Sequence, residues 1–288
     1  MNAALKENIG MILYAPGELR DKWTKNGLDG CVIVVDEDGE PSGCLLVETE
    51  GEASLYFEDY VLYAHRGRGL GEFLIGRAED HAQRMARETQ RSMAVITNVN
   101  NDRGRAVLAD LGYELEDRDY AMFMDLEPGR PVTTWPPGIR LRPYRDGIDD
   151  DLMHETMVAG FGDDWPEDDD RRRWLNTHKQ APGYEPELWY FAETDDRVIG
   201  AAQCRSQWRG DRDTGWIKNL SVVPDARHRG AGRALLGHAF DLFIRRGRKR
   251  AVLSVDFDNP TNAKEFYLAV GMYEGGSSTD HRKVISPS

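Results

Sequence analysis

The sequence feature that most constrains the fold is a glycine-rich stretch that occurs twice. "RHRGAGRALL" begins at Arg227, and a near copy, "RGRGLGEFLI", begins at Arg66. Each stretch follows a strand-like run and opens a segment whose apolar residues have helical spacing. One chain therefore builds the same strand, turn and helix in both of its halves.

The elements around the two stretches repeat as well. Gly230 lies 161 residues after Gly69, and Gly271 lies 159 residues after Gly112, so one loop differs by two residues. The second half has the predicted order β-α-α-β-β-β-α-β-α-β, and the first half matches the later part of this order. We predict an α/β (α+β) fold from a tandem duplication. Each domain has a mixed central sheet flanked by helices on both faces, and the first domain is reduced.

A connector separates the two copies. The segment "EPGRPVTTWPPG" holds four prolines and two glycines, which disfavour both helix and sheet. We predict a linker over 127–138, a degenerate and non-catalytic first domain over 1–130, and a catalytic second domain over 139–288. A length of 288 residues suits two domains.

Composition and charge restrict the class of protein. The hydrophobic share of 40% and the absence of a long apolar run predict a globular protein without a membrane span. The N-terminal sequence does not resemble a secretory signal, so we expect a cytoplasmic protein. A net charge of −13 disfavours nucleic acid as a partner. Cys31, Cys44 and Cys204 lack zinc-ligand spacing, so we expect buried thiols and no metal.

The repeated turn suits an anion. Glycine at every second position leaves main-chain N–H groups unshielded, and the following helix adds its positive end, so phosphate is the expected ligand. The pattern is neither a P-loop nor a dinucleotide fingerprint, because Leu235 and Glu72 occupy the third glycine positions. A single copy is equally well explained as a tight turn with solvated arginines.

Two motifs of the second copy resemble those of the GCN5-related N-acetyltransferases, the GNAT superfamily. The acetyl-CoA signature of that family resembles Arg227-x-x-Gly230-x-Gly232, which "LSVVP" precedes. A second motif of the family resembles the run Asn259, Asn262, Ala263, Tyr267, Gly271 and Met272. The tandem layout is most similar to that of the two-copy mycothiol synthases. The resemblance implies an acetyl-CoA-dependent N-acetyltransferase that acts on a primary amine of a small molecule.

The resemblance also implies roles for individual residues. Tyr267 is the expected general acid, although without the motif it reads as a core aromatic. The expected residues that bind the cofactor are Leu220, Val222, Val223, Arg227, Arg229, Gly230, Ala231, Gly232, Arg233, Asn259 and Asn262. A second candidate cofactor site in the first copy comprises Val61, Leu62, Arg66, Gly69, Leu70 and Gly71. Leu108 occupies the place of Tyr267 there, so we expect no catalysis in the first copy.

The strand before the second turn is irregular. In "WIKNLSVVP", Ile217 is out of phase with Leu220 and Val222, which predicts either a bulge near Asn219 or burial on both faces. The family resemblance implies that such a bulge separates this strand from the next, so that pantetheine pairs with free main-chain groups near Val222 and Val223.

The sequence does not identify the general base. Many family members place a glutamate on this strand, where the present chain has Trp216 and Lys218. Glu193, Asp213 and Asp256 are candidates for a relay through water, and an acceptor that enters neutral is the alternative. Each of these carboxylates is as readily a solvated turn or strand-end residue.

Two charged runs have alternative interpretations. The acidic run "GDDWPEDDD" from Gly162 would attract a cationic amine such as an amino sugar or polyamine, but acids are also favoured at helix starts. "RRGRKR" from Arg245 is either a contact for the 3′-phosphate of coenzyme A or a solvated helix end. A non-catalytic acyl-CoA sensor or scaffold and a protein N-acetyltransferase remain alternative functions. The chain is expected to be a monomer or a homodimer.

Overall fold

The computed structural model describes residues 31–50, 53–162, 165, 171–181, 183–208, 211–257 and 262–287. Contacts divide the chain into two compact units. Unit 1 consists of Met1–Tyr120, Asp256–Asn259 and Gly276–Ser288, and unit 2 consists of Ala121–Val255 and Pro260–Gly275. The predicted domain boundaries follow the order of the repeats along the chain and stay a prediction.

The first half of the chain contains five strands and two helices longer than one turn among its described residues. In chain order they are β1 (Cys31–Val35), β2 (Pro41–Glu50), β3 (Ser54–Val61), α1 (Leu70–Thr89), β4 (Met93–Val99), α2 (Asp102–Asp110) and β5 (Glu114–Asp125). A hairpin joins β1 to β2, and Gly39 in its turn has a positive φ of 82°, a backbone conformation that favours glycine.

The second half follows the predicted order. Its elements are β6 (Arg140–Pro143), α3 (Asp150–Phe161), α4 (Arg171–Gln180), β7 (Trp189–Glu193), β8 (Val198–Arg205), β9 (Thr214–Val222), α5 (Ala231–Arg245), β10 (Arg250–Asp256), α6 (Ala263–Ala269) and β11 (Tyr273–Ile285). The predicted fold class is confirmed. Within the described chain, no helix is long and apolar enough to cross a membrane.

Unit 1 is a mixed sheet with the strand order β1-β2-β3-β4-β11-β5. β3 and β4 run parallel, whereas the pairs β1–β2, β2–β3 and β4–β11 are antiparallel. The apolar face of α1 packs on β2, β3 and β4, and it buries Leu74, Ile75, Ala78, Ala82 and Ala86 at the spacing of one helix face.

Unit 2 has the strand order β6-β7-β8-β9-β10-β5-β11, with β6 to β9 antiparallel and β9 parallel to β10. α5 is buried along most of its length, including Leu235, Phe240 and Phe243, which explains its near-continuous apolar sequence. Cys44 and Cys204 are buried free thiols, as predicted. The side chain of Cys31 lies outside the described residues.

Candidate active site

The glycine turn of unit 2 presents main-chain donors at the start of α5. His228 and Gly230 both have left-handed backbone, with φ values of 61° and 86°. The first hydrogen bond of the helix runs from Ala234 N to Gly230 O at 3.0 Å, and no side chain caps this end. The amides of Ala231, Gly232 and Arg233 therefore have no partner within the helix, because the first N–H groups of any α-helix lack one.

The arginines of this turn have different surroundings. Arg227 Nε donates to Val222 O at 3.2 Å, and its Nη2 donates to Gly160 O at 2.7 Å at the end of α3. Arg227 therefore braces the turn from within the protein. Arg229 and Arg233 have exposed side chains beside the free amides, so their guanidinium groups add positive charge at the same end of α5.

β9 carries the predicted bulge. Gln203 of β8 lies opposite Asn219, but Cys204 lies opposite Ile217, so Lys218 is the extra residue. Because of this extra residue, Ile217 is buried at 2% exposure although its spacing is out of phase.

β9 and β10 pair over only part of their length. Thr214–Trp216 pairs with Arg250–Val252, and β9 then continues to Val222 while β10 continues to Asp256. The β10-facing edge of β9 thus leads to Leu220, Val222 and Val223 next to the glycine turn. These are the cofactor-binding positions predicted on this strand.

α6 brings Tyr267 into the same unit. Tyr267 is buried at 9% exposure, and the ring of its neighbour Phe266 lies 5.3 Å away. Phe266 Cζ is 3.8 Å from the position that a Cβ on Gly232 would take, so α6 packs beside the glycine turn. Asn262 is the N-terminal cap residue of α6, with a φ of 51°, and Asn259 lies outside the described residues.

Unit 1 builds a turn of the same geometry. Gly67 and Gly69 have φ values of 78° and 81°, and Phe73 N donates to Gly69 O at 3.0 Å. Arg66 Nε donates to Val61 O at 3.2 Å, which is the contact that Arg227 makes in unit 2. The candidate cofactor site of the first copy therefore has the same backbone geometry as the glycine turn of the second copy.

Unit 1 differs from unit 2 at the position of the expected general acid. Val61, Leu62, Leu70 and Gly71 line the strand end and the helix start, but Leu108 is buried in the hydrophobic core at 3% exposure. No phenol occupies the position on α2 that Tyr267 has on α6.

The three carboxylates considered as general bases have partners. Glu193 contacts Arg140 at 3.0 Å. Asp213 contacts Lys249 at 2.7 Å, and this hydrogen bond lowers the pKa of Asp213. Asp256, assigned to unit 1, shares a hydrogen bond with Asp119, and burial followed by this contact raises the pKa of Asp119 to about 7. Asp213 lies at the paired end of β9, far along the strand from the bulge.

The connector over 127–138 packs along α5. Thr133 N donates to the Asp241 carboxylate at 2.9 Å, and the Arg130 guanidinium lies 4.6 Å from the centre of the Phe240 ring. A Cβ added at Gly230 would lie 2.9 Å from Pro136 Cγ, so the connector also contacts the glycine turn at Gly230. This contact is not readable from the sequence, because coil segments carry no periodicity that would show a packing face.

The structure describes the basic run but only a small part of the acidic run. Most of the acidic run lies outside the described residues. In the basic run, Arg246 contacts Glu185 at 3.2 Å, Arg248 donates to Arg212 O at 2.6 Å and Lys249 contacts Asp213. These side chains of the basic run therefore contact protein groups, and both interpretations of the run stay predictions.

Comparison with known proteins assigns the chain to a family. The model of the acetyltransferase (GNAT) family matches residues 8–113 and 151–272. A mycothiol acetyltransferase of Geodermatophilus obscurus is 27% identical over 88% of this chain and 80% of its own length. The mycothiol acetyltransferase of Nocardia farcinica is 28% identical over 83% of this chain and 78% of its own length.

Solved structures agree with this assignment. A GCN5-related N-acetyltransferase from Sphaerobacter thermophilus superposes with a TM-score of 0.80 at 26% identity, and the match covers 99% of this chain and 93% of that one. A tandem GNAT protein of the clavulanic acid pathway shares the fold, with a TM-score of 0.70 at 15% identity over 100% and 98% of the two chains. The predicted tandem repeat and the predicted enzyme class are confirmed, and the chain belongs to the GNAT family of acetyltransferases.

Proposed function

We propose that the chain transfers the acetyl group of acetyl-CoA to a primary amine of a small molecule, and that the second copy performs this reaction. The observation that carries the proposal is the row of free amides at Ala231, Gly232 and Arg233, at the start of the helix that follows the part of β9 not paired with β10. Acetyl-CoA would supply the acetyl group as a thioester. GNAT enzymes generally use this donor.

The residues around this turn suit a diphosphate. Gly232 keeps its surroundings open, since an added Cβ would lie 3.7 Å from Val222 Cγ2 and 3.8 Å from Phe266 Cζ. The free amides and the exposed Arg229 and Arg233 would hold the phosphates. The part of β9 beyond Trp216, which does not pair with β10, would hydrogen-bond the pantetheine chain.

Tyr267 supplies the proton in this proposal. Its hydroxyl would donate to the departing sulfur, so that the thiol leaves neutral. The proton that the attacking amine loses would return to the phenolate through water, which regenerates Tyr267. A phenol has an ordinary pKa near ~10 and a thiol near ~8.5, so the donation depends on charge developing on the sulfur during the reaction. The acceptor amine would enter neutral, because the described part of β9 carries no carboxylate in the usual position of a base.

The acceptor belongs to a small set of amines. The names of the curated relatives support a mycothiol-type acceptor, and amino sugars, antibiotics and polyamines are the other classes considered. The experiment incubates the full chain with acetyl-CoA and glucosamine, spermidine or cysteine methyl ester. Thiol release is followed for glucosamine and spermidine, and the acetylated product of cysteine methyl ester, which has its own thiol, is measured by mass against a reaction without protein. We expect amine-dependent thiol release and a product 42 Da heavier than the amine, about the mass of one acetyl group less one hydrogen. Stoichiometric binding of acetyl-CoA without release in any reaction would instead support a sensor.

A further inference from the structure

A chain of three neutral polar side chains lies on the face of β9 that α3 and α4 cover. Asn219 Nδ2 lies 2.7 Å from Gln203 Oε1 and 3.2 Å from His178 Nε2. His178 Nδ1 lies 2.8 Å from the main-chain oxygen of Trp174. His178 and Gln203 are buried at 8% and 1% exposure, whereas Asn219 is half-buried.

The partners fix the direction of each hydrogen bond. A carbonyl oxygen only accepts, so His178 Nδ1 carries the hydrogen, and Nε2 of the neutral ring is an acceptor. Asn219 Nδ2 then donates one hydrogen to His178 and the other to Gln203. With both amide hydrogens committed, Asn219 Oδ1 has to face away from both partners.

Asn219 also has a special place on the strand. It follows the bulge residue Lys218 and lies beyond Trp216, the last residue of β9 that pairs with β10. Asn219 lies two residues before Ser221 in the regular part of the strand, so the two share a face, and the Ser221 hydroxyl contacts Thr156 O of α3. The amide therefore stands where the two strands separate, on the strand that leads to the cofactor turn.

Among its described residues, the first copy has no such chain at the equivalent strand positions. Gln203 and Asn219 are cross-strand partners, and the equivalent partners in unit 1 are Leu46 and Glu58.

Within unit 2, Gln203 Nε2 is buried without a hydrogen-bond partner among the described residues. Buried polar groups are normally satisfied, so among the described residues this network is incomplete.

We propose that Asn219 binds the acceptor amine, with Oδ1 accepting a hydrogen bond from its N–H, and that His178 and Gln203 are positioning residues that hold the amide. This assignment rests on the proposed function. An amide oxygen is too weak a base to remove a proton, so Asn219 orients the amine and does not deprotonate it.

The test measures steady-state kinetics with the best amine of the panel. N219A is expected to raise the acceptor KM about ten-fold and to leave the KM for acetyl-CoA unchanged, since one hydrogen bond to the acceptor is lost. H178F is expected to give a similar rise, and the double variant no more than either, because the residues act as a unit. If N219A does not fold, H178F carries the test.

S221A is the matched control, since it removes one hydrogen bond from the same face of β9. Its acceptor KM should equal that of the parent protein. Equal acceptor KM values for N219A and S221A, with an active parent, would overturn this assignment alone. A parent that acetylates no amine of the panel would overturn the proposed function and this assignment with it.

Discussion

At the scale of single residues, Tyr267 distinguishes the two copies most sharply. Tyr267→Phe removes the hydroxyl and leaves the packing beside Phe266. We expect kcat to fall by at least about ten-fold, because a positioned acid typically contributes ~10²–10⁴-fold. Thiol release under saturating substrates measures the change.

The control for this variant lies at the equivalent position of the first copy. Leu108→Met keeps the volume of a core residue, so kcat should stay near that of the parent protein. Equal losses of kcat in the two variants would refute the prediction that only the second copy is catalytic.

A second prediction concerns Asp119 in unit 1. Burial, the hydrogen bond with Asp256 and the charges of Asp256, Asp117 and Asp280 raise the pKa of Asp119 to about 7. Between pH 4 and 7 the folded chain thus holds a proton that the unfolded chain releases, and stability falls as the pH rises through this range. The free energy of unfolding of Asp119→Asn should therefore exceed that of the parent protein at pH 8, and the difference between the two should be smaller at pH 4.

Urea denaturation at the two pH values measures this difference. A free-energy difference between variant and parent that does not change with pH would show that Asp119 titrates normally.

Single residues of the site were partly readable from the sequence. The motif spacing predicted Tyr267 and the glycines, since these residues are close in the chain and have a fixed spacing. The Asn219 network was not predicted, because it joins residues on β8, β9 and α4 that only the fold brings together.

At the scale of elements, two glycines at equivalent positions of α5 and α1 test the packing of the connector. A Cβ at Gly237 would lie 2.4 Å from Thr133 Oγ1, whereas a Cβ at Gly76 would meet no described atom within 4 Å. Gly237→Ala should lower the free energy of unfolding by about 1–3 kcal/mol through overpacking. Gly76→Ala should raise it by up to about 1 kcal/mol, because alanine favours helix.

Chemical denaturation of the two variants beside the parent protein measures both effects. A higher free energy of unfolding for Gly237→Ala than for the parent protein would mean that the contact between the connector and α5 contributes little to stability.

The order of the elements was largely predictable, and their long-range partners were not. Periodicity located α1, α3 and α5, and the phase slip at Ile217 located the bulge. The first part of β11, from Tyr273, was not readable as a strand, because it is rich in glycine and serine and lacks alternation. Nothing local indicates that residues at the end of this strand pair with β4.

At the scale of the whole molecule, the two copies share a turn but not a site. Gly232 and Gly71 hold the same position in their turns, and neither would bring an added Cβ closer than 3.7 Å to a described atom. Gly232→Val should fill the space for the diphosphate and abolish most acetyl transfer. Gly71→Val should leave the turnover of the second copy nearly unchanged. A loss of turnover confined to Gly71→Val would assign catalysis to unit 1.

The most direct measurement is a crystal structure of the chain with bound acetyl-CoA. We predict diphosphate oxygens within hydrogen-bonding distance, about 2.7–3.2 Å, of the amides of Ala231, Gly232 and Arg233, with the thioester directed toward Tyr267. A diphosphate held elsewhere, or a Gly230 turn whose amides are engaged by protein groups in the complex, would contradict the account.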